Sequence, residues 1–275
     1  MQLAVVQLDI EPGGVETNLD RAGDAVADAA SDGADLVALP EQFVVGFFAF
    51  DDYPDYAAGL DDPLVDRLAA MAADNQVGLV AGTTVEDLAA SAAAGYDVPA
   101  DEGYANTAVV FDREGQQRGV YRKHHLFGYE SAESELLVPG ETLDVVEFAG
   151  VTIGITTCYD LRFPALYRRL VDRGVDLVVV PSAWPYPRIE HWETLGRARA
   201  VENLCYVAAV NGVGSFPAAE TTLCGRSVVY DPWGTPRVRA GDESVTLHTE
   251  IDPDEVASVR ASFPALDDRR SDRWT

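Results

Sequence analysis

A chain of 275 residues that is 47% hydrophobic and 24% charged has the composition of an ordinary globular protein, not of a disordered or fibrous one. Its longest apolar runs, residues 43–50 and 177–180, fall far short of a membrane span. Forty-six acids against 20 bases give −26, a field that repels nucleic acid and anionic lipid and argues against either as a partner.

Residues 2–8 alternate as a strand, and residues 18–30 read as a helix ended by Gly33. An apolar strand over 35–39 stops at Pro40; a helix over 64–75 and a strand over 77–81 follow. Residues 89–103, rich in Ala, Gly and Asp, read as a surface excursion. Residues 105–111 and 117–121 form a hairpin about a turn through 112–115. In the second half, strands are expected over 144–148, 151–156, 175–181, 205–210, 227–230 and 245–251. Helices are expected over 164–173, 189–203 and 253–262. This alternation predicts an α/β layered fold with mixed sheets. With no linker or internal repeat, a single domain is expected over residues 1–275. Met1-Gln2-Leu3-Ala4 enters a strand pattern at once, without the basic and apolar regions of a secretory signal. Three cysteines, Cys158, Cys205 and Cys224, show no paired or metal-binding spacing, so a reducing cytoplasm is the expected setting.

Nineteen of the 20 bases are Arg, which makes the one lysine, Lys123, informative. A position that keeps Lys in such a composition needs a compact ammonium that a planar guanidinium cannot imitate. Three apolar strands end in residues that carry chemistry: Leu36–Pro40 leads to Glu41, Gly119–Arg122 to Lys123, and Val151–Thr157 to Cys158. Ligand sites of α/β folds lie beyond the carboxyl ends of strands. A Cys after an apolar strand is ordinarily an inert core thiol and a Glu after Pro a solvated acid. Together the three are complementary. A carboxylate can take a thiol proton, and an ammonium can hold the anion formed when sulfur attacks a carbonyl. His124, His125, His191 and His248 leave a Cys–His pair possible but not required.

Seven stretches, in order, carry a resemblance. They are Leu39-Pro40-Glu41, Tyr121-Arg122-Lys123-His124-His125-Leu126-Phe127, Cys158-Tyr159-Asp160-Leu161-Arg162-Phe163-Pro164, His191-Trp192-Glu193, Arg199-Ala200-Val201-Glu202-Asn203, Asp231-Pro232-Trp233-Gly234 and Arg270-Ser271-Asp272. The chain resembles the nitrilase, or carbon–nitrogen hydrolase, superfamily. The resemblance implies a four-layer αββα sandwich, commonly paired through subunits into a homodimer or higher homo-oligomer. It implies a Glu–Lys–Cys triad: Glu41 as general base, Lys123 at the oxyanion, Cys158 as nucleophile. The backbone N–H of Tyr159 would complete the oxyanion site. A supporting glutamate seven residues before the glycine of a Pro-Gly turn matches Glu133 before Pro139-Gly140, with Glu130 and Glu135 as rivals. No metal or other cofactor is implied.

The remaining motif residues have structural expectations. Asp160 and Arg162 are expected to brace the turn after Cys158 as an ion pair. Arg199, Glu202 and Asn203 are expected to fix the end of their helix, and Cys205 and Cys224 to be core or pocket-rim thiols. Trp184, Phe43 and Phe127 are expected to wall the pocket. Cys158-Tyr159-Asp160, where nitrile-hydrolysing members carry Cys-Trp-Glu, is similar to the amidase branches that include omega-amidases. The expected reaction is hydrolysis of a small carboxylic acid amide through a cysteine thioester, with water as co-substrate. Arg188, Arg162 or Arg197 would meet a substrate carboxylate. N-carbamoyl amino acid hydrolysis is the enzymatic alternative, and a non-catalytic binding or scaffold relative the alternative of another class.

Overall fold

The computed structural model describes residues 1–128 and 131–270. Apolar residues fill most positions of the central strands, so these strands must be covered on both faces. The first half of the chain supplies β1 (Gln2–Gln7), β2 (Leu36–Ala38), β3 (Gly78–Asp87), β4 (Tyr104–Phe111) and β5 (Gln117–Arg122). The second supplies β6 (Val145–Phe148), β7 (Val151–Ile155), β8 (Leu177–Ser182), β9 (Tyr206–Asn211) and β10 (Val213–Phe216). It continues with β11 (Thr221–Cys224), β12 (Val228–Tyr230), β13 (Pro236–Arg239) and β14 (Val245–Glu250). One six-stranded sheet has the order β14-β1-β2-β3-β4-β5 and the other β13-β12-β9-β8-β7-β6, while β10 and β11 form a separate ribbon. Within these mixed sheets β1, β2 and β3 run parallel, as do β7, β8 and β9.

The two-residue period of a strand sorts the side chains. Leu3, Val5, Leu36, Ala38, Val80, Ala108 and Val110 enter one apolar cluster, and the alternating Ala4, Val6, Val37, Leu79, Ala81, Val109 and Phe111 enter another. The first cluster fills the space between the sheets, where β1 packs on β9 and β3 on β8. The second lies beneath the helices Val15–Ser31 and Pro63–Asn75, through Leu19, Val26, Leu68 and Ala72. Helices Pro164–Val171 and Ile189–Asn203 cover the other sheet with Leu166, Leu170, Trp192 and Ala200. The result is the expected helix–sheet–sheet–helix sandwich.

Departures from the sequence reading are local. The excursion over 89–103 contains the helix Leu88–Ala93, started by Asp87, whose carboxylate accepts the Ala89 and Ala90 N–H groups. One side-chain cap stabilises a helix too short to show a period. β3 runs beyond the expected 77–81 because Thr84 and Glu86, polar yet buried, continue its ladder past a shift in register after Ala81. Among the described residues no helix is long and apolar enough to cross a membrane.

Candidate active site

Just past β2, the Leu39-Pro40 turn directs Glu41 into the interior, where it is fully buried. The turn needs glycine on the adjacent strand: a Cβ at Gly82 would lie 2.0 Å from the Pro40 carbonyl oxygen. Glu41 Oε1 accepts from Lys123 Nζ at 2.8 Å and from Asn106 Nδ2 at 2.8 Å, and Oε2 accepts the Ala183 N–H at 2.8 Å.

Lys123 follows β5 directly. Its N–H donates to the Asn106 carbonyl and its own carbonyl accepts from the Gly140 N–H, both at 2.9 Å. A Cβ at Gly140 would stand 2.2 Å from the Arg122 carbonyl oxygen, so the Pro139-Gly140 turn packs tightly against the lysine strand. Lys123 Nζ lies 2.7 and 3.0 Å from the two oxygens of Glu133, which also accept from Asn106 Nδ2 at 3.0 Å and the Phe127 N–H at 2.6 Å. Burial disfavours the ammonium, but Glu133 and Glu41 outweigh it and raise the Lys123 pKa above the ordinary lysine value. Burial likewise pushes the Glu133 carboxyl up, Lys123 pulls it down, and Glu41 adds to the rise. Of the three acids weighed for this position, Glu133 is buried here, Glu135 is exposed, and Glu130 lies outside the described residues, as do Ser271 and Asp272.

Beyond β7 the chain enters a short 3-10 turn, Cys158–Arg162, with Cys158 in the left-handed region at φ 45°. Such a conformation costs a residue other than glycine roughly 1–3 kcal/mol, so the surroundings must hold it. Asp160, fully buried, does much of that. Its carboxylate accepts the Thr157 N–H at 3.0 Å, the Tyr121 hydroxyl at 2.6 Å and the His125 N–H at 3.0 Å, and lies 2.7 Å from His125 Nδ1. From the helix Ile189–Asn203, Arg199 donates to the Leu161 carbonyl through Nε at 2.9 Å and Nη2 at 2.6 Å. It also pairs with Glu202 at 2.6 Å, and Asn203 donates to the Arg199 carbonyl at 2.8 Å, as expected of a helix-end brace.

The expected Asp160–Arg162 ion pair does not form. Closer donors surround Asp160, whereas Arg162 lays its guanidinium 5.0 Å from the Trp184 ring centre and 5.6 Å from that of Tyr159. A flat guanidinium gains contact and charge–quadrupole attraction there that the crowded carboxylate cannot offer. Burial pushes the Cys158 thiol well above its ordinary pKa; the Glu41 carboxylate raises it further and the Lys123 ammonium lowers it. Both charges therefore act on the sulfur.

A pocket opens above Cys158 and Lys123, walled by Phe47, Phe48, Phe127, Tyr159 and Trp184, with Arg162 and Arg188 on its lining. Phe127 and Trp184 thus line it, but Phe43 does not: it is fully buried in the cluster beneath the outer helices. The Gln42–Gly46 turn, closed by a 2.7 Å backbone bond, carries Phe43 inward and delivers Phe47 and Phe48 to the wall. Arg197 is exposed on its helix, away from the pocket lining. Cys205 and Cys224 are core thiols, each pushed by burial to a pKa of about 12. Among the described residues no group of three or more His, Cys, Asp or Glu is arranged to hold a metal ion.

Besides Phe47 and Phe48, two polar residues at this site were not singled out in the sequence. Asn106 bridges Glu41 and Glu133; it shares the strand parity of the inward-facing Ala108 and Val110, a polar residue where the pattern calls for an apolar one. Asn211, closing β9, accepts from the Trp184 N–H at 2.7 Å and donates to the Trp184 carbonyl at 3.2 Å. It therefore fixes the peptide next to the Ala183 N–H that Glu41 uses.

The carbon-nitrogen hydrolase family model matches residues 2–261, and this chain belongs to that family. It is 36% identical over 264 residues to the 2-oxoglutaramate amidase of Paenarthrobacter nicotinovorans, covering 94% of this chain and 86% of that protein. It is 32% identical over 282 residues to the mouse (Mus musculus) omega-amidase NIT2, covering 100% of this chain and 96% of the other. Among solved structures it is similar to XC1258 from Xanthomonas campestris, a CN-hydrolase superfamily protein with an arsenic adduct in its active site. That match has TM-score 0.86 and 31% identity and covers 98% and 97% of the two chains. It is also similar to a mutant amidase from Nesterenkonia sp. AN1 with the acetamide moiety of fluoroacetamide covalently added at its active-site cysteine. There the TM-score is 0.82 at 29% identity, covering 100% and 97% of the two chains.

Proposed function

We propose that this protein is an omega-amidase-like enzyme: it hydrolyses the carbon–nitrogen bond of a small carboxylic acid's amide through a thioester on Cys158. The observation that carries the reading is the buried meeting of Glu41, Lys123 and Glu133 beside the Cys158 thiol, on which the Glu41 and Lys123 charges act, at the base of an aromatic pocket. The amidase relatives support the same reaction class. The intact site speaks against a non-catalytic scaffold. Nothing in the pocket favours an N-carbamoyl group over a simple amide.

Glu41 accepts the thiol proton, and the thiolate attacks the amide carbonyl. The Lys123 ammonium and the Tyr159 N–H stabilise the oxyanion. Glu133 engages Lys123 through both oxygens, which can share one N–H; Glu41 takes a second, leaving a third for the pocket that Lys123 lines. Protonated Glu41 returns its proton to the leaving ammonia. It then takes a proton from water as that water attacks the thioester, and passes it to the departing thiolate as the acid is released. Glu133 orients Lys123 throughout.

The chain acts as one catalytic domain in a reducing cytoplasm, a setting its three free, buried cysteines fit. Its acidic, lysine-poor composition suits a salt-rich interior. Its oligomer is a homodimer or larger, supported by an apolar outer patch: Val201, Trp233 and Phe263 are each about half exposed, with the two rings 6.0 Å apart.

The test is mass spectrometry of wild-type protein quenched during turnover of an amide pool: an acyl group on Cys158 is expected. Cys158→Ala should be folded and inactive, and Lys123→Arg reduced by about 100-fold or more. Wild-type rates in Cys158→Ala would end the proposal.

A further inference from the structure

Glu41 and Glu133 reach the site from different elements, yet the same donors bracket them. Lys123 Nζ lies 2.8 Å from Glu41 Oε1 and 2.7 Å from Glu133 Oε1, and Asn106 Nδ2 lies 2.8 and 3.0 Å from those two oxygens. One ammonium therefore serves two carboxylates, and all four residues are buried. Neighbouring carboxylates in a buried site tend to hold one proton between them. Burial pushes the Glu133 carboxyl that way, Lys123 opposes it, and Glu41 adds to the rise. A Glu41 that shared such a proton could not take another from Cys158.

Asn106 lies on β4, one position before Thr107, which pairs with Arg122 of β5. Its carbonyl accepts the Lys123 N–H at 2.9 Å, so one residue meets the lysine through its backbone and both acids through its side chain. The acids dictate how the amide is turned. Its nitrogen faces the two carboxylates, while its Oδ1, buried as well, finds no donor among the described residues. An unpaired buried acceptor is unfavourable, so the two bonds to charged oxygens outweigh it.

We propose that Asn106 is a positioning residue for the base: its amide N–H groups, one to each acid, hold Glu41 and Glu133 as separate acceptors, so that Glu41 stays free to take the Cys158 proton. The inference rests on the amidase reading with Glu41 as base. Asn106 itself touches neither substrate nor sulfur in this scheme; it acts through the two acids. Donors to a carboxylate favour the ionised form, so losing them makes the pair hold a proton to higher pH. Tyr53, Lys123 and Cys158 also face these acids. Each holds its own proton more tightly than usual, Tyr53 through burial and then the Glu133 and Glu41 charges, so none of the three titrates on the acid side.

The test is the pH dependence of kcat/KM at constant salt, on succinamate or butyramide, whichever the wild type cleaves faster. In Asn106→Leu, close in shape but without a donor, the acid limb should move to higher pH by about one unit or more. Asn106→Thr keeps one hydroxyl donor, enough for one carboxylate, and its limb should move less. In both, raising the pH should restore much of the lost rate. A rate lowered equally at every pH, with the limb in place, would make Asn106 a packing residue and overturn the assignment. Infrared spectra of the wild type read the same pair without a variant of Asn106: no protonated-carboxyl stretch at neutral pH should belong to it. A stretch there that vanishes in Glu133→Gln would show a shared proton and overturn the assignment too. Either result leaves the amidase reading intact, whereas a wild type that cleaves neither amide would remove that reading.

Discussion

Glu41 and Lys123 pull the Cys158 thiol in opposite directions, and the sign of each pull separates two duties of the glutamate. As a charge, Glu41 favours the protonated thiol; in the proposed mechanism it is also the base that takes that proton when substrate is present. Glu41→Gln removes both. Its thiol pKa should therefore fall, and iodoacetamide alkylation of Cys158, located by mass spectrometry, should shift to lower pH. Amide turnover should nonetheless drop by about 100-fold or more for want of the base. Lys123→Met should shift alkylation the other way, because the ammonium is what lowers the thiol pKa. An unchanged alkylation profile in Glu41→Gln would show that the carboxylate charge does not reach the sulfur. Cys205 and Cys224, buried with thiols near 12, should stay unlabelled in the folded protein.

Four strand ends, β2, β5, β7 and β8, deliver Glu41, Lys123, Cys158 and Ala183, and short connections fix each of them. The Cys158 turn depends most on a distant element, because Tyr121 on β5 reaches across to Asp160. The sheet that carries Lys123 thereby also holds the turn that carries Cys158. Tyr121→Phe removes one charge-assisted bond and leaves the packing. Urea unfolding should show a loss of about 1–3 kcal/mol. Steady-state kinetics should show kcat reduced about tenfold with KM little changed, because an atom in the turn is misplaced while the pocket wall is spared. A variant that loses stability at full kcat would make the tyrosine a packing residue only.

Each sheet repeats one succession, strand–helix–strand–helix–strand, in β1 to β3 and in β7 to β9, although the chain shows no internal sequence repeat. Each half buries one apolar face under its own helices and the other against the opposite sheet, and the site forms where the halves meet. Around this interior lies a surface of net charge −26, whose self-repulsion weakens the compact state and any contact between subunits. Raising salt from about 0.1 to 2 M should increase the melting temperature and favour the oligomer in sedimentation. Trp233→Glu, placing a charge in the exposed patch with Val201 and Phe263, should shift sedimentation toward the single protomer at every salt concentration. A melting temperature indifferent to salt would mean that the acids are already screened or paired.

Much of this was legible in the residues. The strand and helix periods set out the layers, and the lone Lys123 in an arginine-based composition marked a position that the fold buries between Glu41 and Glu133. Glu41 and Cys158 were visible as polar ends of apolar strands, a local property. What the chain order could not show was which polar residues meet across it. The Asp160–Arg162 pair seemed natural at two residues apart, yet Asp160 found Tyr121 and His125 from the other sheet, and Arg162 found two aromatic rings. Phe43 exchanged places with Phe47 and Phe48 because one turn reverses inside an unbroken apolar run. Asn106 and Asn211 matter through partners 65, 27 and 27 residues away. Periodicity records which face of an element is buried. A hydrogen bond between buried groups depends on distance in space, and that exists only once the two sheets have packed.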